Sequence, residues 1–310
     1  MELINQNKLY GLDIFFEQIK NLFAYGKLPN KILLNGKKGI GKYTLAKHVI
    51  NYILSLNEES SYDLKNLQIN EENRSYKLIK NHTHPNFYLI DLIDVKKNIE
   101  IGQIRKMIDH MNKSNFNTKP RFVLINNVEN LNINSSNALL KIVEEPNENM
   151  YFILIHNNSK KILTTLKSRC LSFNINLTFD ETTQITNRLI GDNLDNIMHK
   201  ELISHYFSAG DFISLINFSV EHKVDLKKFN LPEFLSFIIN GNYYKKETEI
   251  KNLLINYIEL YILNVYKLSK SKNNIFNLYK SITSKFYNAN KYNLDEESLF
   301  IEFKSRFLNE

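Results

Sequence analysis

The stretch KILLNGKKGIGKYTLAKHVI (residues 31–50) combines a short apolar run, a glycine-rich turn and apolar residues at helical spacing. The turn fits the pattern G-x-x-x-x-G-K-[ST] except at its last position, where Tyr43 replaces the serine or threonine. In such a loop, backbone N–H groups and the positive end of the following helix cradle phosphate oxygens. The stretch therefore predicts a strand, a phosphate-binding loop and a helix. The predicted phosphate-binding residues are Gly36, Gly39, Gly41 and Lys42.

The residues that would hold magnesium in this loop are replaced. The hydroxyl ligand normally follows the lysine, and the bulky phenol of Tyr43 is no substitute for it. Thr44 comes one residue late and is turned by roughly 100° around the helix. The acidic residue expected after a later buried strand is replaced by Asn126 and Asn127. We expect a loop that binds ATP or ADP without hydrolysis or is vestigial, with Glu129 as a solvated loop residue.

Apolar runs that alternate with helical patterns predict the fold of the first half of the chain. Such alternation is typical of a mostly parallel sheet covered by helices on both faces. The predicted strands are 31–35, 86–92, 121–126, 150–156 and 170–175. The predicted helices between them include 101–113 and 135–146, the second ending at a proline.

Beyond about residue 177 only helical patterns occur, so the fold class is α/β followed by all-α. The predicted helices are near 180–190, 194–207, 211–221, 232–240, 247–270, 273–288 and 295–308. A break near 226–232 suggests two helical domains. The predicted domains are 1–176 with the phosphate loop, 177–228 as a small helical lid, and 229–310 as a helical domain for oligomerisation.

Composition narrows the class of protein. The formal net charge of +7 is spread along the chain and is only a weak indication of nucleic-acid binding. Cys170 is the single cysteine, which excludes an internal disulfide; we expect it to be a packing residue at a strand start. No apolar run approaches the ~20 residues of a membrane helix and no secretory signal is evident, so we expect a cytoplasmic protein.

Three further motifs point to a family. They are H-P-N-F at 84–87, S-N-A-L-L-K-x-x-E-E-P at 136–146 and S-R-C at 168–170. In this order they resemble the clamp-loader branch of the AAA+ ATPases, over roughly residues 10–176. The H-P-N-F run, which enters a predicted strand, is similar to the bacterial delta-prime subunits of the DNA polymerase III clamp loader.

The resemblance implies both an architecture and a role. The family forms a pentameric ATPase ring of gamma/tau-type, delta-type and delta-prime-type subunits that opens a sliding clamp and places it on primed DNA. Each nucleotide lies between neighbouring subunits. By this resemblance Arg169, flanked by Ser168 and Cys170, is an arginine finger that reaches a neighbour's site in trans. The chain would then be no enzyme by itself but a structural part of the DNA polymerase III holoenzyme in DNA replication.

Departures from the family pattern limit what else is expected. Residues 55–86 contain no cysteine, so the zinc module of many clamp-loader subunits is not expected. His82 and His84 are interpreted as loop residues rather than metal ligands, and no required cofactor or metal is predicted. Two alternatives remain open: an ATP-hydrolysing gamma/tau-like motor subunit, and a P-loop phosphotransferase with a small-molecule acceptor.

Overall fold

The computed structural model describes residues 7–93, 96–112, 117–144, 149–269, 272–292, 294 and 296–308. The chain divides into two compact units, residues 2–185 and 186–310, and each is described by itself. The division lies inside a helix a few residues beyond the predicted boundary at 176. The predicted separation of 177–228 from 229–310 stays a prediction.

A five-stranded sheet forms the centre of the first unit. The strands are β1 (Lys31–Asn35), β2 (Phe87–Ile90), β3 (Arg121–Ile125), β4 (Met150–His156) and β5 (Leu171–Asn174). Their order across the sheet is β2-β3-β4-β1-β5, and every neighbouring pair is parallel. All five strands predicted from the apolar runs are confirmed: β1 and β4 have the predicted ends, and the ends of the other three agree within two residues. Because the strands are parallel, all their carboxyl ends lie at one edge of the sheet.

Helices cover both faces of this sheet, as predicted. The helices of this unit are α1 (Asp13–Ala24), α2 (Lys42–Leu54), α3 (Arg74–Lys80), α4 (Ile101–Met111), α5 (Ile133–Glu144) and α6 (Thr164–Lys167). Helix α7 (Phe179–Ile190) follows β5 and continues into the second unit. Successive residues of a strand point to opposite faces. Leu34 accordingly packs with Val49 of α2 in one core, while Leu33 packs with Met107 of α4 and Leu139 of α5 in the other.

The ends of these helices differ in part from the prediction. Helix α5 is described as far as Glu144, and Pro146, the predicted stop, lies outside the described residues. Helix α4 ends at Met111 rather than at residue 113, which is also outside the described part. Its start carries a capping box between Glu100 and Gln103, which satisfies free backbone N–H groups at the helix start.

The described residues of the second unit form helices and the turns between them, without a strand. Its helices after α7 are α8 (Ala209–Glu221), α9 (Leu231–Asn240), α10 (Tyr243–Lys246), α11 (Thr248–Leu268), α12 (Lys272–Tyr292) and α13 (Glu297–Phe307). The prediction of a helix over 194–207 is wrong, since this segment holds two short 3₁₀ turns at Leu194–Asn196 and Lys200–Leu202. None of the described helices is both long and apolar enough to span a membrane.

Aromatic packing holds this unit together. The ring of Tyr257 on α11 is fully buried, and its hydroxyl donates a hydrogen bond to the carbonyl oxygen of Leu202 at 2.8 Å. The rings of Phe207 and Phe234 pack on it with centroid distances of 4.7 and 5.4 Å. Tyrosine in this role supplies a large apolar ring and a satisfied polar end. Tyr257 is therefore a packing residue of this unit.

Candidate nucleotide site and exposed arginine

The glycine-rich turn between β1 and α2 has backbone angles and close contacts that residues with side chains would not tolerate. Gly39 and Gly41 have φ angles of 83° and 92°, in the left-handed region that favours glycine. A β-carbon at Gly36 would lie 2.4 Å from the carbonyl oxygen of Ile175. The three predicted glycines thus have physical reasons for their positions, and the turn keeps the form of a phosphate-binding loop.

Lys42 is folded inward at the start of α2. Its side chain is almost fully buried, and its ammonium donates hydrogen bonds to the carbonyl oxygens of Gly36, at 2.8 Å, and Lys37. Burial lowers the pKa of Lys42 to about 8, and the negative charge of Glu129 opposes this decrease. The ammonium is therefore held inside the loop, where a phosphate group could replace the two carbonyl oxygens.

Tyr43, which stands in the magnesium-ligand position, is a packing residue. Its half-buried ring contacts the core between the sheet and α2, and the ammonium of Lys47 lies 5.8 Å from the ring centroid. Burial raises the pKa of the Tyr43 hydroxyl, and the charge of Asp91 raises it further. Thr44 follows on the same helix and is half-buried. Whether Thr44 contacts a nucleotide stays a prediction.

Asn126 and Asn127, which follow β3, are held by a carboxylate that the sequence analysis missed. The side-chain amide of Asn126 donates to Oδ2 of Asp91 at 2.8 Å, and that of Asn127 donates to Oδ1 at 2.7 Å. Asp91 follows β2, the strand paired with β3. An acidic residue directly after a neighbouring parallel strand was the available signal, because both strands end at the same edge of the sheet. Both oxygens of Asp91 thus accept hydrogen bonds from these amides.

The prediction that Glu129 is a solvated loop residue is wrong. A 3₁₀ turn at Val128–Asn130 turns its side chain inward, where only 8% of the residue is exposed. Its carboxylate accepts hydrogen bonds from the hydroxyl of Ser159 at 2.9 Å and from the backbone N–H of Asn157 at 3.3 Å. Asn157 also donates from its side-chain amide to Oδ1 of Asn127 at 2.8 Å. Glu129 therefore belongs to the carboxyl edge of the sheet.

Replacing Asp91 by alanine should destabilise the carboxyl edge of the sheet without changing the hydrophobic core. The amides of Asn126 and Asn127 would lose their charged acceptor, and hydrogen bonds to charged groups are among the stronger ones in proteins. Because the site is partly exposed, we expect the free energy of unfolding to fall by about 1 kcal/mol. Urea denaturation of the isolated chain measures this change. Asp109→Ala, at an exposed position of α4, is the control, and an equal loss there would contradict the assigned role of Asp91.

Arg169 lies at the opposite edge of the sheet from the glycine-rich loop. It comes two residues before β5 begins at Leu171, whereas the loop follows the end of β1 at Asn35. In the register of these paired strands, Leu171 lies beside Ile32. At roughly 3.3 Å per residue, the strands separate the arginine backbone from the loop by on the order of 15 Å. The extended side chain of an arginine is shorter than this distance.

The guanidinium of Arg169 is exposed but has partners in its own chain. Nη1 donates to the carbonyl oxygen of Thr165 at 2.9 Å, and Nη2 lies 2.9 Å from Oε1 of Glu144. The flanking hydroxyl of Ser168 also donates to Thr165, at 3.2 Å. Cys170 packs against one core of the sheet, and burial raises its pKa to about 11. At neutral pH the thiol is therefore protonated and unreactive.

His84 is a structural residue of the segment that enters β2. It is buried, its Nδ1 accepts from the backbone N–H of Asn86 at 3.1 Å, and its Nε2 lies 3.3 Å from the hydroxyl of Ser75. Burial lowers the pKa of His84 to about 4, so the ring is neutral at physiological pH. Ser75 also donates to Glu58 at 2.6 Å. These contacts support the interpretation of His84 as a structural rather than a metal-binding residue.

A group with the spacing of metal ligands occurs in the described part of the second unit. Side-chain atoms of Glu221, His222 and Glu247 lie within 4.8 Å of one another. Nε2 of His222 is 2.8 Å from Oε1 of Glu247, and the imidazole ring packs against Phe218 and Tyr243. The hydrogen bond between His222 and Glu247 and the ring packing account for the position of the imidazole. The expectation that no metal is bound stays a prediction.

Taken together, these features define a class: a phosphate-loop α/β protein with altered magnesium-binding positions, joined to a helical unit. The sequence profile of the family described as "DNA polymerase III, delta subunit" matches residues 11–178, more than half of the chain. The chain therefore belongs to this family of clamp-loader subunits, and the predicted resemblance is confirmed.

Curated relatives include subunits of two types. The delta' subunit of DNA polymerase III from Pseudomonas aeruginosa is 30% identical over 139 residues, which cover 45% of this chain and 40% of that protein. The delta' subunit of Buchnera aphidicola subsp. Baizongia pistaciae is 31% identical, covering 52% and 48%. The gamma subunit of Buchnera aphidicola subsp. Schizaphis graminum is 31% identical over 233 residues, covering 72% and 60%. The chain thus spans 40–60% of the length of these relatives.

Solved structures show more distant similarity. A gamma subunit-related protein of DNA polymerase III from Thermotoga maritima is 17% identical with a TM-score of 0.42, covering 84% of this chain and 77% of that one. The Bacillus subtilis DNA clamp loader delta protein is 14% identical with a TM-score of 0.35, covering 94% and 99%.

Proposed function

We propose that this chain is a delta-prime-type subunit of the DNA polymerase III clamp loader that does not hydrolyse ATP itself. In the assembled ring it supplies Arg169 to the nucleotide site of a neighbouring ATPase subunit. Its partners are gamma/tau-type and delta-type subunits in a pentamer, and it acts on the sliding clamp and primed DNA through the complex. The same function implies a cytoplasmic location. The observation that carries the proposal is the position of Arg169 at the sheet edge opposite its own loop.

The chemistry of the chain's own site supports the absence of hydrolysis. Hydrolysis needs a hydroxyl and a carboxylate on magnesium and a group that orients the attacking water. The half-buried ring of Tyr43 packs against the core, and Asn126 and Asn127 carry no charge. The nearest carboxylate on the paired strand, Asp91, already accepts hydrogen bonds from both asparagines. A metal at this position would have to compete with two amide donors that point toward the carboxylate.

The position of Arg169 supports action in trans. A group on the order of 15 Å from its own loop is too far away to contact a phosphate bound there, yet it is open to another subunit. Arginine is suited to this task because its planar, permanently charged guanidinium pairs with several phosphate oxygens. Charge develops on these oxygens in the transition state, and the guanidinium stabilises it. Hydrolysis by the neighbour then depends on correct assembly.

The glycine-rich loop supports retained nucleotide binding without turnover. Gly39 and Gly41 keep backbone angles that expose N–H groups, and the ammonium of Lys42 lies at the start of a long helix. We therefore propose that the loop binds ATP or ADP as a structural ligand. No cofactor is required for the trans role, and no zinc is included in the proposal.

Exposed aromatic side chains on the second unit support contacts with other subunits. On α12, Phe276 is 56% exposed and Tyr287 is 67% exposed. Large aromatic residues at a surface are typical of protein interfaces. The proposal assigns residues 229–310, which include α12, to assembly with the helical domains of the partner subunits.

A gamma-type motor subunit is the second candidate. The gamma relative from Buchnera aphidicola subsp. Schizaphis graminum matches 72% of this chain, more than either delta' relative described above. Two carboxylates, Asp91 and Glu129, also lie at the carboxyl edge beside the loop. In this alternative Thr44 supplies the hydroxyl for magnesium and one of these carboxylates replaces the missing acidic residue.

Nucleotide turnover by the isolated chain distinguishes the two candidates. We expect ATP hydrolysis no faster than that of the Lys42→Ala variant, with and without magnesium, because the metal-binding positions are altered. Nucleotide binding is measured in parallel by titration calorimetry. Magnesium-dependent hydrolysis that Lys42→Ala abolishes would establish the motor subunit instead. Failure to form a complex with gamma-type and delta-type subunits on size-exclusion chromatography would contradict both candidates.

A further inference from the structure

Glu144 holds the guanidinium of Arg169 at a defined place on the surface. It lies at the end of α5, which follows β3, while Arg169 lies between α6 and β5, so two separate parts of the chain meet here. Nη2 of Arg169 is 2.9 Å from Oε1 of Glu144, and Nη1 donates to the carbonyl oxygen of Thr165 at 2.9 Å. Hydrogen-bond partners on two different nitrogens restrict the position and the plane of the guanidinium.

We propose that Glu144 is a positioning residue for Arg169, orienting it for the neighbouring subunit's nucleotide. This inference rests on the proposed function of Arg169. The two contacts each use one N–H of a group that offers several, so other N–H groups remain to meet phosphate oxygens. An unrestrained arginine loses much side-chain freedom when it binds. The contacts with Glu144 and Thr165 remove part of that freedom before the ring assembles.

The ion pair between Arg169 and Glu144 is weak enough to rearrange during the reaction. The side chains of Arg169 and Glu144 are 39% and 50% exposed, and exposed pairs are worth little in water. A nucleoside triphosphate with bound magnesium therefore displaces the carboxylate of Glu144 from Arg169 at a small cost in free energy. In this proposal Glu144 acts through Arg169 and is a positioning residue, not a catalytic one.

The test uses the complex reconstituted with its gamma-type and delta-type partners. We expect Glu144→Gln to lower kcat for ATP about two- to fivefold with an unchanged KM, the range that an exposed ion pair permits. KM should stay unchanged because the neighbour's own loop binds the nucleotide. Glu144→Asp, which keeps the charge, should retain most of the activity. Glu72→Gln, which removes an exposed carboxylate paired with Lys77, is the matched control and should change nothing.

A second set of complexes carries Arg169→Ala. In this background Glu144→Gln should have no further effect, because its only route to the reaction is gone. An unchanged or raised kcat for Glu144→Gln alone, or an equal decrease in both backgrounds, would overturn the positioning role while leaving the proposed function intact. An Arg169→Ala complex with normal turnover would overturn the proposed function and the inference with it. Size-exclusion chromatography of every complex confirms assembly.

Discussion

Replacing Arg169 by alanine is expected to lower ATP hydrolysis at the neighbouring subunit's site roughly 10³-fold or more, the range known for arginine fingers. The isolated chain should keep its stability, since the side chain is exposed and its ion pair with Glu144 contributes little. The complex should still assemble, because the change removes one surface group. Single-turnover hydrolysis by reconstituted complexes measures the effect on that site.

Two comparisons make this experiment specific. Arg169→Lys keeps the positive charge but loses the planar fork of donors, so we expect most of the rate to be lost as well. Arg188→Ala removes an exposed arginine of α7 and should leave the rate unchanged. If Arg169→Lys and the unmodified chain gave equal rates, general electrostatic attraction would suffice and the finger geometry would be wrong.

The sequence predicts the fold well where burial leaves a regular pattern. The central strands β1, β3 and β4 are short apolar runs because both of their faces are covered, and the glycine-rich turn identifies which strand carries the loop. The prediction fails where the spacing of apolar residues is helical but the structure has no continuous helix. Residues 194–207 have helical spacing but contain two 3₁₀ turns. The short spacing of apolar residues does not distinguish a continuous helix from turns that bury the same side chains.

The candidate site is harder to predict from the sequence than the fold, because its residues come from separate parts of the chain. Asp91 lies inside the predicted strand 86–92, which ends at Ile90 in the structure, and Glu129 lies beyond the end of β3, a position typical of solvated loops. Their partners, Asn126, Asn157 and Ser159, come from other strands and loops. Only the parallel order of the sheet brings these groups to one edge. The position of Arg169 at the opposite edge likewise follows from strand direction and not from its motif.

Lys42→Met is expected to stabilise the isolated chain, by about 2 kcal/mol at pH 7. Burial lowers the pKa of Lys42 from its ordinary value of 10.5 to about 8, so the folded state carries a buried charge that the unfolded state solvates. Methionine fills similar space without charge. Part of the gain is offset because the carbonyl oxygens of Gly36 and Lys37 lose their hydrogen-bond donor.

The pH dependence of this gain identifies its cause. Below pH 8 the lysine is charged in both states, and the full penalty of burial opposes folding. Between pH 8 and pH 10.5 the unfolded state binds more protons than the folded state, so the stability contributed by this group rises with pH. The advantage of Lys42→Met should therefore be largest below pH 8 and vanish near pH 10.5. Urea denaturation of both proteins across this range measures it, with the exposed Lys38→Met as a control that should show no such trend.

A lysine kept at this energetic disadvantage is best explained by an anion that it binds. The same Lys42→Met variant should therefore lose binding of ADP in calorimetry, while ATP turnover by the complex should decrease far less than with Arg169→Ala. We expect this contrast because Lys42 lies in the chain's own loop, whereas Arg169 is proposed to act on a neighbour's site. If Lys42→Met destabilised the chain at every pH, its ammonium would be a structural group held by Gly36 and Lys37. A complex that depended more on Lys42 than on Arg169 would be driven by this chain's own site.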